Sequence, residues 1–264
     1  MTVTPVSTTP ARALDYVPAA STPLKKLTIV IPCYNEADSI HELILAIPHE
    51  RLRAIGVETR VLVVDNNSSD STADLARAAE AEVIFEGAQG KGHALRSAFR
   101  TIPEDTDFVA MLDGDNTYNP SELPRMIEPL VSGFADVVLG SRLGGRIREG
   151  SMRGVNRLGN WLFTFLVRTF CEANATDVLT GYFAWRKPVL DELRPHLQSS
   201  GFAIEMEMVT KMAALGHRVT SVPISYHPRL GSSSLNPVED GLRILRCFAT
   251  NLAWRPPAPK VVTG

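Results

Sequence analysis

The chain has 264 residues, of which 44% are hydrophobic and 21% charged, and its formal net charge is −2. That length suits one large α/β domain or two small ones with a sizeable core, and the near-neutral balance excludes a general nucleic-acid footprint. Cys33, Cys171 and Cys247 are too far apart for a disulfide framework or a zinc spacing, and the six histidines include no His-x-x-x-His pair. A reduced cytosolic setting fits this usage.

The first 23 residues, rich in Thr, Pro, Ala and Ser, read as a disordered lead-in without the charged and apolar regions of a signal peptide. No apolar run approaches the roughly 20 residues that a spanning helix needs. From Leu27 a pattern of alternation begins. "LTIVIP" (27–32) is a β-branched strand, and Ile40, Leu43, Ile44 and Ile47 follow at helical spacing. "RVLVVD" (60–65) is a second strand with a helix starting near Ser71, and "EVIFE" (82–86) is a third with a helix over 91–100. "DFVAMLD" (107–113) precedes a helix over 121–131, and "ADVVLGS" (135–141) is the fifth strand. A Gly/Arg loop (142–157) then leads to a helix over 156–170, the segment "DVLTGYFAWR" (177–186), a helix over 203–216, a strand over 218–226 and a last helix over 236–254.

Continuous apolar strands alternating with amphipathic helices imply an α/β fold, Rossmann-like, with a mostly parallel sheet covered on both faces. The expected organisation is a single domain over 24–254, with a nucleotide-binding half (24–141), an acceptor half (142–254) and a flexible tail (255–264). Ligands of such sheets sit at the carboxyl ends of the strands. The polar residues closing the strands are Tyr34-Asn35-Glu36, Asp65-Asn66-Asn67, Asp113-Gly114-Asp115 and Ser141-Arg142, and they should gather along one edge.

Asp113 and Asp115 end an apolar strand one residue apart. Residues i and i+2 of a strand share a side, with Cβ atoms roughly 6–7 Å apart. A turn at Gly114 tightens such a pair. Two carboxylates completed by waters and diphosphate oxygens are a common way to hold Mg²⁺ or Mn²⁺. The same three residues also suit an ordinary turn.

With "IPCYNE", "VVDNNSSDST", "GKGHA" and "DGDNTYNPSE" in this order, the chain resembles family 2 glycosyltransferases of the GT-A fold, in their dolichyl-phosphate mannosyltransferase / polyprenyl-phosphate glycosyltransferase branch. "RLGN", "FAIEMEM" and "YHPRLGSSSLNPVEDGLRI" extend the likeness to about Leu252. The resemblance implies a nucleoside-diphosphate sugar donor (UDP or GDP) with Pro32, Tyr34 and Glu36 lining its pocket. Asp65, with Asn67 beside it, would read the base or ribose. Asp113 and Asp115 would hold the metal on the diphosphate, around Gly114, and Arg229 would close over it. Lys91, in a Gly-Lys-Gly turn, either adds a cation there or is a solvated loop lysine. The chain departs from the family in having Asn66 after Asp65, Ser234 where relatives carry Lys, and Thr117 where some relatives have a metal-binding Gln.

Arg142, Arg146, Arg148, Arg153 and Arg157 fall within sixteen residues, opposed only by Glu149. They form either a solvated face or a phosphate site, for which arginine forks are suited. Leu158, Trp161, Leu162, Phe163, Phe165, Leu166 and Phe170 follow as a stripe that either packs on the core or lies at a bilayer surface. Together the two features favour a polyprenyl phosphate acceptor, with Arg142, Arg153 and Arg157 on its phosphate, at the cytosolic membrane face. A phosphate monoester is largely dianionic at neutral pH and attacks without a base. A soluble hydroxyl acceptor needs one, for which Asp177 or Glu205 is the candidate. A nucleotide-sugar-binding protein without transfer activity is a third reading.

Overall fold

The computed structural model describes residues 23–230 and 236–256. Most of the lead-in, Ser234 and the tail beyond residue 256 lie outside the described residues. Seven strands, β1 (Lys25–Cys33), β2 (Val57–Asp65), β3 (Glu82–Phe85), β4 (Phe108–Met111), β5 (Val137–Ile147), β6 (Phe183–Arg186) and β7 (Val219–Tyr226), form one sheet in the order β3-β2-β1-β4-β6-β5-β7. All pairings are parallel except those of β6, which runs antiparallel to β4 and β5. Both expected halves of the chain contribute strands to this sheet.

The helices divide between its two faces. On one side, α1 (Ile40–Leu45), α2 (His49–Ala54), α3 (Thr72–Ala78) and α5 (Leu123–Val131) bury Ile40, Leu52, Ala76 and Ile127 with Ile29, Ile31 and Val63 of the strands. On the other, α4 (Lys91–Thr101), α6 (Gly154–Phe170), α7 (Lys187–Leu193), α8 (Ile204–Ala214) and α9 (Pro237–Leu252) pack against Val30, Val64 and Val109. Successive residues of β1 therefore enter opposite cores, which explains why its apolar run is continuous rather than alternating.

Three boundaries differ from the sequence expectation. The first helix stops at Leu45 and a second begins at His49, because Pro48 disfavours helical backbone at the residue before it. β5 continues to Ile147, so part of the expected Gly/Arg loop is strand paired with β7 beyond an irregularity between Ser141 and Arg146. The segment 177–186 is a turn followed by the short β6, and α7 begins immediately afterwards with Pro188 in its first turn.

The long β5 depends on close backbone approach. A Cβ on Gly145 would stand 2.0 Å from the Ile224 carbonyl oxygen of β7. Gly145→Ala should therefore destabilise the protein by about 1–3 kcal/mol through overpacking against a rigid strand, a loss read from the midpoint of urea denaturation.

Candidate active site

Because β1, β2 and β4 all run the same way, their carboxyl ends share one edge, and a cavity of about 520 Å³ opens there. Pro32 at the end of β1 and Tyr34 and Glu36 just after it form one wall, Asp113, Gly114 and Asp115 after β4 form the floor, and Lys91 and Arg229 enter from the sides. The Asp-Gly-Asp segment is closely packed against its neighbours. A Cβ on Gly114 would lie 2.6 Å from Cys33 Sγ, and one on Gly181 would lie 2.2 Å from Asp113 Oδ2.

Two tethered cations neutralise these carboxylates. Lys91 Nζ lies 2.6 Å from Asp113 Oδ1 and 2.5 Å from Glu205 Oε1. Burial alone would push the ammonium down, but Asp113 and Glu205 outweigh it and raise its pKa. Arg229 pairs with Glu36 and, at 2.9 Å, with Asp115 Oδ2. The other Asp115 oxygen accepts from the Thr117 amide (3.1 Å) and hydroxyl (2.6 Å), so Thr117 orients Asp115 instead of facing the cavity.

Burial pushes the Glu36 carboxyl up to about 8; Arg229 pulls it back down, while Asp115, Asp113 and Asp70 add to the rise. Arg229 thus compensates only part of the desolvation, although its guanidinium touches the carboxylate.

The neighbouring loop explains Asn66. Its Nδ2 donates to the Glu86 (3.0 Å) and Ala88 (2.7 Å) carbonyls, and its Oδ1 accepts from the Gly90 amide (2.7 Å). A carboxylate has no donor for those two carbonyls. Asn66 lines the cavity; Asp65 and Asn67 do not, Asp65 being buried with Oδ1 accepting from the Ser68 amide.

A second charged pair sits behind the cavity. Asp177 is 0% exposed and accepts from Arg142 N, Nε and Nη2 at 2.8–2.9 Å and from Asn160 Nδ2 at 2.6 Å. Arg142 Nη2 also donates to the Leu179 carbonyl, and its guanidinium lies 5.2 Å from the centre of the Tyr226 ring. Neither residue lines the cavity, and neither does Glu205, which is 4% exposed. Asp177 as a general base for a hydroxyl acceptor does not fit this geometry, because four donors already occupy its oxygens. Glu205 does not fit either, being committed to Lys91. Arg153 and Arg157 are exposed at the start of α6 and are not among the residues that line the cavity.

Sequence reasoning missed part of the wall. Ser200, Gly201 and Phe202 line it, and the Ser200 carbonyl accepts from the Gly92 amide at 2.9 Å, closing the start of α4. Asn236, Glu239, Asp240 and Arg243 from the start of α9 also line it. The Asn236-Pro237 pair was a legible helix-start signal; nothing in the sequence placed that start above the β4 turn.

Residues 28–194 match the model of the family described as "Glycosyl transferase family 2". The chain belongs to that family. It is 37% identical over 230 residues to "Glycosyltransferase AglJ" of Haloferax volcanii, covering 84% of this chain and 72% of the relative. It is 33% identical over 244 residues to the "Undecaprenyl-phosphate mannosyltransferase" of Micrococcus luteus, covering 87% and 96%. Among solved structures, a glucosyl-3-phosphoglycerate synthase from Mycobacterium tuberculosis with Mn²⁺, UDP and product superposes with a TM-score of 0.66 at 20% identity, over 89% of this chain and 82% of that one. The sheet order and these likenesses identify the fold as GT-A.

In this family 2 glycosyltransferase, Asp113 and Asp115 fit a divalent ion whose other positions come from elsewhere. Among the described residues no cluster of three or more His, Cys, Asp or Glu side chains is arranged as a metal site. Among the described residues, Asp113 Oδ1 touches Lys91 but makes no well-formed hydrogen bond, and Arg229 Nε meets no acceptor. Two carboxylates plus waters and phosphate oxygens are the usual Mg²⁺ set, and the two poorly satisfied atoms lie on the residues such a ligand would engage.

The geometry carries two expectations. Asp177→Asn leaves the Arg142 charge buried and under-compensated, so it should lower stability by about 3–5 kcal/mol in urea titration. A fully stable Asp177→Asn protein with abolished turnover would reinstate Asp177 as the base. The folded protein also keeps the Glu36 proton up to pH about 8, whereas the unfolded chain releases it near the ordinary carboxylate value of roughly 4.3. The stability contributed by that retained proton is present at acid pH and is lost as pH rises through 8. Glu36→Gln should therefore match the parent Tm at acid pH and exceed it at alkaline pH.

Proposed function

We propose that this protein is an inverting, metal-dependent glycosyltransferase that moves a sugar from a nucleoside diphosphate to a polyprenyl phosphate, working peripherally at the cytosolic membrane face. One observation carries the acceptor. Every acidic side chain on the described cavity wall lies against a cation: Asp113 against Lys91, Asp115 and Glu36 against Arg229, Glu239 and Asp240 against Arg243. A hydroxyl acceptor needs a free base, whereas a phosphate monoester already carries its charge and needs none. The printed name of the Micrococcus relative supports the same acceptor class.

An acceptor phosphate oxygen attacks the anomeric carbon from the face opposite the leaving group. The C–O bond to the diphosphate breaks, and its electron pair leaves with the nucleoside diphosphate. Asp113 and Asp115 would hold Mg²⁺ or Mn²⁺, which when bound offsets the charge developing on that leaving group. Lys91 and Arg229, exchanging carboxylate for diphosphate oxygens, would add to the same stabilisation. Tyr34 and Pro32 would flank the nucleoside; with Asp65 and Asn67 off the wall, Asn66, just after β2, would be the residue of that strand end to meet it. Arg142 and Asp177 would hold the acceptor side of the site in shape, while Arg153 and Arg157 at the start of α6 receive the acceptor phosphate. Glu205 would act as the positioning residue for Lys91.

The test supplies purified protein with Mg²⁺ or Mn²⁺, labelled UDP- and GDP-sugars, and a short polyprenyl phosphate, and counts label entering the organic phase. Metal-dependent transfer from one donor is expected, lost with a chelator and reduced about 100-fold or more in Asp115→Asn, as for loss of one charge-stabilising group. Donor hydrolysis without organic-phase label would overturn the acceptor.

A further inference from the structure

Helix α6 turns polar residues inward and large apolar residues outward. Asn160 and Thr164 are buried on the Asp177 turn. Asn160 donates to Asp177 and accepts from the Leu179 amide, and Thr164 Oγ1 accepts from the Val178 amide. Val167, Phe163 and Leu166 complete the inner contact with the core. The opposite side presents Leu158, Trp161 and Phe165, which are 65%, 57% and 52% exposed, together with Val155 and Leu162. Trp161 and Phe165 stack on each other at 6.0 Å rather than on the body of the protein. Such a contiguous apolar face on a soluble surface marks an interaction site.

Two further facts choose the partner. From residue 150 to 171 the chain has no acidic residue, while Arg153, Arg157 and Arg168 are exposed along the helix. α9, joined to α6 through the Phe170–Phe248 ring contact, exposes Val238, Leu242 and Leu245 in a stripe of its own, with Arg246 nearby, while Arg243 is paired with Glu239 and Asp240 of the same helix. A second copy of the chain docking on α6 would set the same arginines against one another. An anionic bilayer surface meets both the apolar stripe and its basic rim.

We infer that the outward face of α6, extended by α9, docks on an anionic lipid surface, with Trp161 and Phe165 inserted at the level of the headgroups. This deepens the lipid-acceptor reading and rests on it for its setting. The helix is tied to the middle of β5 through Asn160, Asp177 and Arg142, so a docked α6 holds the sheet, and with it the catalytic edge, at a set position relative to the membrane.

The protein would be mixed with vesicles of phosphatidylcholine alone and of equal parts phosphatidylcholine and phosphatidylglycerol. Co-sedimentation with the anionic vesicles, weakened by salt, and a blue shift of tryptophan emission that disappears in Trp161→Phe are expected. A Trp161→Ser/Phe165→Ser double variant should bind about ten-fold more weakly or worse. Because these side chains are exposed, its Tm should match the parent. The single Leu158→Glu variant, which sets a negative charge in the same face, should also lose binding and serves if the double variant fails to fold.

Absence of vesicle binding overturns the inference, as does unchanged binding by both variants. A dimer dissolved by the same substitutions, without vesicle binding, gives the face to a second copy instead. Transfer to a short, water-soluble polyprenyl phosphate separates the two proposals. Transfer without vesicle binding removes the docking surface alone, and vesicle binding without transfer removes the acceptor alone.

Discussion

The carboxylates gathered at the end of β4 repel one another, and the site exists because two tethered cations offset that repulsion. Asp113, Asp115, Glu36 and Glu205 approach a single edge of the sheet, and Lys91 and Arg229 each bridge two of them. In a partly desolvated cavity, like charges at this range interact far more strongly than in water. Burial accordingly raises the pKa of Glu36, Asp113 and Glu205 even beside their cations. The arrangement is a set of acids held ready for positive charge, and the cations that stabilise it are the groups a diphosphate would attract.

Much of the surrounding structure holds those cations in place. Lys91 opens α4, whose start is closed by the Ser200 carbonyl and whose preceding loop is pinned by the Asn66 amide. Glu207 accepts from the Gln198 and Ser199 amides and pairs with Lys211, anchoring the same segment to α8. Glycine is required where these pieces meet: a Cβ on Gly92 would stand 2.1 Å from the Ser199 carbonyl oxygen. The Gly-Lys-Gly sequence is thus a packing requirement.

A second charged anchor, Arg142 with Asp177, serves the other half of the molecule. The guanidinium and carboxylate satisfy each other, and Asn160 and Leu179 take up remaining hydrogen-bonding capacity. A buried pair of this kind is weak evidence for net stability, since desolvation offsets much of the attraction. Here it ties α6, through Asn160, to Arg142 within β5, and so bears on which side of that helix faces outward.

The sequence by itself determined the class of fold, the strand ends and the acid pair. Those features follow from local chemistry: β-branched runs make strands, periodic apolar residues make helices, and chain direction in a mostly parallel sheet collects the strand ends. The motifs from "IPCYNE" to "DGDNTYNPSE" also carried the family. Only the tertiary structure decided which charges meet. Glu205 lies 114 positions after Lys91, and Arg229 lies 193 after Glu36 (205 − 91 and 229 − 36), so no local pattern reports those pairings. The same is true of Asp177, which reads as a plausible base until Arg142, 35 positions earlier, is seen to occupy it. Side-chain identity declares which charges a chain carries, whereas desolvation and distance, set by the packed fold, decide which remain available for chemistry.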